Sequence, residues 1–257
     1  QTRTLAIVME REGRIRKFKP RDYWEVHATF VAAAGLYTGR WYDPKFVKDE
    51  QDAEKRDSRL WSETAAKTIV SACREQPGTV TEESKPTTQM SPALFDLTSL
   101  QREANSRFGF SAKATLSLAQ TLYERHKALT YPRTDSRYLP EDYLSTVKQT
   151  VAALADAPDG AAAAIQPFAK QLGESDWIKP NKRIFDNKKV SDHFAIIPTL
   201  QVPKELSDAE SKIYELVTRR FLAVFFPPAE FRVTTRITQV QGHHFKTEGK
   251  VLVAPGW

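Results

Sequence analysis

The chain has 257 residues, of which 40% are hydrophobic, and its formal net charge is +6 at pH 7. This length suits one large domain or two of ordinary size, and the basic excess favours an anionic partner such as nucleic acid. The single cysteine, Cys73, excludes an internal disulfide and a cysteine-based zinc cluster. No apolar run reaches the roughly 20 residues that span a bilayer, and we therefore expect a cytoplasmic protein without membrane contact.

The first 90 residues alternate between helical and strand-like patterns. A helical pattern ends at Pro20, and the two alternating segments that follow it predict a β-hairpin. The predicted elements are a helix within 1–22, strands at 23–30 and 36–42, a charged loop at 43–59, a helix at 60–74 and a strand at 78–88.

Helical patterns dominate after Pro92. Thr98 stands three residues before Gln101, which predicts a capping box at the start of a helix that Gly109 ends. The predicted elements are helices at 97–108, 111–126 and 141–154, a loop at 156–164, a basic segment at 179–189, a strand-like run at 190–199, a helix at 206–226 and strands from 231 to 253 that turn at Gly242.

Strand-rich ends that flank a helical middle predict an α+β fold. We expect a discontinuous antiparallel β domain with a mainly helical domain inserted in it. The first residue is not methionine, and a strand-like pattern runs almost to Trp257. Both features indicate a fragment of a longer protein.

The loop at 128–140 concentrates tyrosine, arginine and aspartate side chains between two helical patterns. Pro132 fixes its own φ and favours an extended backbone at Tyr131. Arg133 lies two residues on, so its guanidinium shares a face with the phenol in an extended chain. A planar guanidinium fork beside a tyrosine suits a phosphate.

A tyrosine hydroxyl can attack a phosphodiester if its proton is removed and the charge on the phosphorus oxygens is compensated. A free phenol has a pKa of about 10, so the site must supply cations or a base. Arg133 and His193 are the candidates, and Asp135 could orient Arg133 or a metal-bound water.

On composition alone, structural roles explain these residues better than catalytic roles do. A tyrosine before a proline more often serves packing or a turn, and a lone histidine such as His193 is usually a core or strand-end residue. Asp135 and Ser136 could cap the helix that follows. The pair His243–His244 has no second ligand cluster at useful spacing, so a hairpin turn explains it better than a metal site.

The string at 129–140, Leu-Thr-Tyr-Pro-Arg-Thr-Asp-Ser-Arg-Tyr-Leu-Pro, resembles the active-site signature of type IA DNA topoisomerases, in particular the bacterial topoisomerase III branch. Other segments resemble parts of the same family in the same order, so the resemblance covers essentially the whole chain. These segments are 1–5, 22–26, 97–104, 107–112, 122–127 and 192–199.

The resemblance implies that Tyr131 forms a 5′-phosphotyrosyl bond with one DNA strand. It also implies that Arg133 stabilises the scissile phosphate and that His193 contacts this phosphate from the far side. Further DNA-binding residues are expected at Lys127, Thr134, Asp135 and Arg137. The expected activity is cleavage of one strand, passage of another and religation without ATP.

The family fold implies three domain assignments. Residues 1–20 would end a single-strand-binding domain at the base of a gate, 21–90 and 200–257 would form a β arch, and 91–199 would form a winged-helix-like domain that carries Tyr131. The family's Toprim domain, with a catalytic glutamate and an Asp-x-Asp magnesium site, is expected outside this chain, because no Asp-x-Asp occurs in it.

We therefore expect Mg²⁺ in the whole enzyme but no cofactor within this chain, which would be inactive by itself. The expected partner is DNA, preferentially single-stranded, and the expected state is a monomer. One alternative is a non-catalytic module that binds single-stranded nucleic acid. A weaker alternative is a relaxase, which needs a metal-binding histidine cluster that the sequence does not show.

Overall fold

The computed structural model describes residues 2–157 and 163–257, which form an α+β fold. The helices are α1 Thr2–Lys17, α2 Glu63–Cys73, α3 Leu97–Phe108, α4 Ala112–Glu124, α5 Leu144–Ala155, α6 Gln166–Glu174 and α7 Asp208–Ala223. The strands are β1 His27–Ala32, β2 Gly35–Tyr42, β3 Thr79–Gln89, β4 Ala229–Val240 and β5 His243–Ala254. Most of the predicted elements are therefore present. The predicted loop at 156–164 lies partly outside the described residues.

The five strands form one sheet in the order β1-β2-β5-β4-β3. The predicted β1–β2 hairpin is confirmed, with Phe30 opposite Tyr37 in an antiparallel pair. Its first strand begins at His27 rather than at residue 23, because Trp24 pairs with Leu60 in an isolated bridge instead. The predicted turn between β4 and β5 is also confirmed.

The chain divides into two compact units. The first comprises Gln1–Pro86 and Arg232–Val251, and the second comprises Thr87–Phe231 and Leu252–Trp257. The strand-rich unit is discontinuous, in line with the sequence pattern. Residues 200–231, which the sequence grouped with the strands, belong to the helical unit, because α7 packs against α3, α4 and α6.

Each unit has its own core. In the first unit, Ile69 of α2 packs with Val26, Val240 and Phe245 of the strand-rich part. In the second unit, Tyr214 and Phe221 of α7 are among the largest fully buried side chains. The helical unit therefore has enough buried apolar surface to hold a site on its own elements.

The sequence predicted how α3 ends and how it begins, and only the first of these two predictions is confirmed. Gly109 ends the helix with a left-handed φ of 72°, as predicted. The capping box predicted from Thr98 and Gln101 is wrong. The box is formed by Asp96 and Ser99, because the Asp96 carboxylate accepts a hydrogen bond from the Ser99 backbone at 2.6 Å.

None of the helices among residues 2–157 and 163–257 is both long enough and apolar enough to cross a membrane.

Replacing Phe221 with alanine should destabilise the helical unit by about 3–5 kcal/mol, because the side chain is fully buried and its loss leaves a cavity. Hydrogen exchange of the α4 and α7 amides measures this loss. The matched control is Phe168→Ala, since Phe168 is 44% exposed. Equal effects of the two changes would contradict the assigned core.

Candidate active site

The tyrosine loop is held by a second segment far along the chain. Residues 127–131 lie beside residues 195–199, and Thr130 makes three hydrogen bonds across the junction. Its N–H donates to the carbonyl of Ile197 at 2.9 Å, its hydroxyl donates to the carbonyl of Ala195 at 2.9 Å, and it accepts from the N–H of Ile197 at 2.9 Å. Tyr131 therefore leaves a fixed point of the backbone.

The strand predicted at 190–199 is not formed. The segment makes two isolated antiparallel bridges instead, Ile196 with Phe95 and Pro198 with Leu129. Pro198 has no N–H, so it cannot donate to a ladder on either side. Through these two bridges the segment contacts both Phe95, the residue before the N-cap of α3, and the tyrosine loop.

Side chains alternate between the interior and solvent after Tyr131, as expected for an extended chain. Pro132, Thr134 and Ser136 are buried, whereas Arg133, Asp135 and Arg137 are exposed. The two guanidinium groups predicted to bind DNA are therefore on the solvent side of the loop.

The buried hydroxyl of Thr134 is used within the chain. It donates to the carbonyl of His193 at 3.0 Å and accepts from the N–H of Ser136 at 3.1 Å. Its burial does not favour the DNA contact expected from the sequence. Its surroundings support a role in holding the backbone of His193 against the loop.

Tyr131 and His193 are brought together, although they are distant in the sequence. Their ring centroids are 4.3 Å apart with the planes at 44°. The Tyr131 ring also meets Tyr123 of α4 edge-on, with 5.4 Å between centroids. The Nζ atom of Lys127 lies 5.8 Å from the centre of the Tyr123 ring. Tyr131 is thus half-buried between a histidine and a helix.

Arg133 has a neutral partner. The amide oxygen of Gln120, oriented by hydrogen-bond complementarity, accepts from Arg133 Nη2 at 3.1 Å and Nε at 3.3 Å. None of the ion pairs in the described part of the chain includes Arg133. Asp135 does not orient Arg133, since its carboxylate accepts from the Ser191 hydroxyl at 3.1 Å. The positive charge of Arg133 is therefore not compensated by a carboxylate.

Arg137 has a charged partner. Its Nε donates to Asp96 at 2.8 Å. Burial acts to raise the pKa of Asp96, but the hydrogen bonds from Ser99 and from Arg137 outweigh this effect and hold the pKa below its usual value. Asp96 thus caps α3 and fixes the end of the loop.

Sequence reasoning missed Gln120 and Tyr123 as parts of this site. Both belong to α4, and they follow the i, i+3 spacing of one helix face. That spacing, leading directly into the tyrosine loop, is the signal that could have identified them.

The residues expected near the phosphate do not form a metal site. Among the described residues, no group of three or more histidine, cysteine, aspartate or glutamate side chains could hold a metal ion. Asp135 is engaged by Ser191 instead. These residues do not by themselves fit a magnesium ion.

A sequence model of the DNA topoisomerase family matches residues 1–257. The chain therefore belongs to the DNA topoisomerase family.

Its relatives include proteins named DNA topoisomerase 3. The one from Shouchella clausii is 39% identical over 263 residues, and the one from Bacillus subtilis is 40% identical over 263 residues. Each alignment covers 100% of this chain and 33% of the relative. The chain thus spans about a third of the length of these curated relatives.

A solved structure of full-length topoisomerase I from Thermotoga maritima has a similar fold. The TM-score is 0.61 at 22% sequence identity, over 98% of this chain and 38% of that one. At this identity the likeness bears on the fold alone, and it agrees with the α+β architecture described above.

Replacing Asp96 with alanine should lower the free energy of unfolding of the helical unit at pH 7 by about 1–2 kcal/mol, the usual cost of losing an N-cap. The folded pKa lies below the ordinary value of 3.8. The contribution from the Asp96 charge is therefore complete above that value and is lost as the pH falls through the folded pKa.

Denaturant unfolding at several pH values tests this, with Glu205→Ala, a change of an exposed loop carboxylate, as the control. A wild-type advantage over Asp96→Ala that grew as the pH fell below 3.8 would contradict the assigned charge interaction.

Proposed function

We propose that this chain supplies the nucleophile and the phosphate-binding cation of a type IA DNA topoisomerase. The observation that carries the proposal is the placement of Tyr131 against His193, in the same loop as a solvent-facing Arg133 that pairs with no carboxylate of residues 2–157 and 163–257. Membership of the DNA topoisomerase family supports the same reaction class.

In the proposed reaction, the Tyr131 hydroxyl oxygen attacks a phosphorus atom in one DNA strand. A bond forms between this oxygen and phosphorus, the bond from phosphorus to the 3′-oxygen breaks, the phenol proton leaves to a base or to water, and the departing 3′-oxygen takes up a proton. The strand ends are then a 5′-phosphotyrosyl group and a 3′-hydroxyl. Religation is the reverse attack by the 3′-hydroxyl, so the phosphotyrosyl bond conserves the energy and no ATP is needed.

The surrounding side chains have distinct proposed roles. Arg133 compensates the charge that builds on the phosphorus oxygens, and the exposed ring of His193 contacts the same phosphate. Lys127 is exposed beside the loop and is assigned to the DNA backbone. Arg137 and Asp135 line the same solvent side, whereas Thr134 acts from inside by holding His193.

We further propose a substrate, an oligomeric state, a metal and domain roles for the whole enzyme. We assign single-stranded DNA as the preferred substrate, a monomeric state, and magnesium bound by an acidic site outside this chain. We also assign residues 1–20 to the end of a single-strand-binding domain at the base of a gate, the rest of the strand-rich unit to an arch, and the helical unit to the domain that carries the tyrosine and opens the gate. The discontinuity of the strand-rich unit supports the arch assignment.

Replacing Tyr131 with phenylalanine should abolish covalent DNA adducts in a full-length polypeptide that carries this sequence, because the attacking oxygen is removed. Affinity for a single-stranded oligonucleotide should stay within about twofold, since the ring contacts remain. Gel separation of denatured complexes measures the adduct. Tyr123→Phe is the matched control and should keep the adduct. Unchanged adduct formation in Tyr131→Phe would show that Tyr131 is not the nucleophile, and it would leave this residue with at most a contact to DNA.

The 257-residue chain alone should form no covalent adduct with single-stranded DNA in the presence of magnesium, since its described residues hold no acidic cluster for the ion. The assay is denaturing electrophoresis with end-labelled DNA. A robust adduct that disappears in Tyr131→Phe would show that the chain needs no further acidic site.

A further inference from the structure

The partner of Arg133 is an amide of α4, and the geometry of this contact defines which part of the guanidinium stays available. Gln120 accepts from Nε and from Nη2, at 3.3 and 3.1 Å. We infer that Gln120 is a positioning residue, which orients Arg133 so that its other edge receives the scissile phosphate. The inference deepens the proposed function and rests on it.

A guanidinium has five N–H donors in a planar fork. Gln120 takes the Nε hydrogen and one hydrogen of Nη2, which is the side edge of the group. Both hydrogens of Nη1 and the second hydrogen of Nη2 remain. One hydrogen of Nη1 and the remaining hydrogen of Nη2 form the end edge, which can bind two oxygens of one phosphate in parallel. The contact with Gln120 therefore leaves the second bidentate edge free.

The neutrality of Gln120 matters for an anionic ligand. A carboxylate in its place would hold the same edge but would cancel the charge that a phosphate needs. Arg137 has such a carboxylate partner, since its Nε lies 2.8 Å from the Asp96 carboxylate. Gln120 fixes the direction of Arg133 and preserves its full positive charge.

Gln120 is suited to this role by its place on a rigid element. It is half-buried in α4, next to Ala119, which is fully buried, and two residues before Leu122, which is also fully buried. Tyr123, one turn further along the helix, contacts the ring of Tyr131. One face of α4 thus supports both the nucleophile and the cation.

The consequence is a cation whose orientation is set before DNA binds. A free arginine side chain loses rotamer entropy when it clamps a phosphate, and a preorganised one loses less. Hydrogen bonds to charged groups contribute enough that their loss should slow the chemical step about tenfold.

The test compares Gln120→Leu, which removes the acceptor, with Gln120→Glu, which keeps an acceptor but adds a negative charge. In a full-length polypeptide that carries this sequence, Gln120→Leu should slow single-turnover cleavage of a single-stranded oligonucleotide about tenfold and change affinity less than about twofold. Gln120→Glu should weaken DNA affinity instead. The matched control is Gln101→Leu, because the Gln101 amide donates to the carbonyl of Ala112 and does not touch Arg133.

If Gln120 acts by orienting Arg133, the effect of Gln120→Leu on the cleavage rate must depend on Arg133. In an Arg133→Lys background, which has no planar fork for Gln120 to hold, Gln120→Leu should add less than about twofold. An additive effect, no effect of Gln120→Leu in the wild-type background, or an equal effect of Gln101→Leu would each overturn the inference.

A spectroscopic readout separates this inference from the proposed function. In the 257-residue chain, the Nε–H of Arg133 should be protected from hydrogen exchange in the wild type and in Gln120→Glu, but not in Gln120→Leu. Unaltered protection in Gln120→Leu would overturn the positioning role. If Tyr131→Phe still cleaved DNA, the proposed function would fail, and this exchange measurement alone would decide whether Gln120 orients Arg133.

Discussion

The hydrogen-bonded junction between residues 127–131 and 195–199 is the constraint on which the site depends. Thr130 binds Ile197 and Ala195 through its backbone and its hydroxyl, so the next residue, Tyr131, emerges beside the segment that carries His193. Each such bond contributes only about 1 kcal/mol. Together they hold the phenol and imidazole rings close to each other within the folded helical unit.

The two arginines of the loop show how charge is distributed around that constraint. Both are exposed, and both are held by a side chain from a helix or its cap. Asp96 neutralises Arg137 and uses it to close the end of the loop at the start of α3. Gln120 holds Arg133 without neutralising it. A phosphate near Tyr131 would therefore meet the positive charge of Arg133 in a fixed direction, while the guanidinium of Arg137 stabilises the scaffold.

Features that depend on local chain geometry could be predicted from the sequence. Gly109 ended a helix because only a residue tolerant of positive φ suits that position, and the two alternating segments after Pro20 predicted the β1–β2 hairpin. Features that depend on distant partners could not. The apolar run ending at Pro198 suggested a strand, but its partners are single residues on two different segments. The spacing of Gln120 and Tyr123 puts both on one face of α4, but the contact with Arg133 could not be predicted, because an amide that binds a guanidinium resembles any half-exposed helical glutamine.

The central claim is that Tyr131 attacks a DNA phosphate that its folded surroundings have positioned. The most direct measurement is peptide mapping by mass spectrometry of the covalent complex, trapped with a single-stranded oligonucleotide in a full-length polypeptide that carries this sequence. The account predicts one modified peptide, with the DNA attached to the Tyr131 oxygen through its 5′-phosphate. Attachment at another residue, or through a 3′-phosphate, would contradict it.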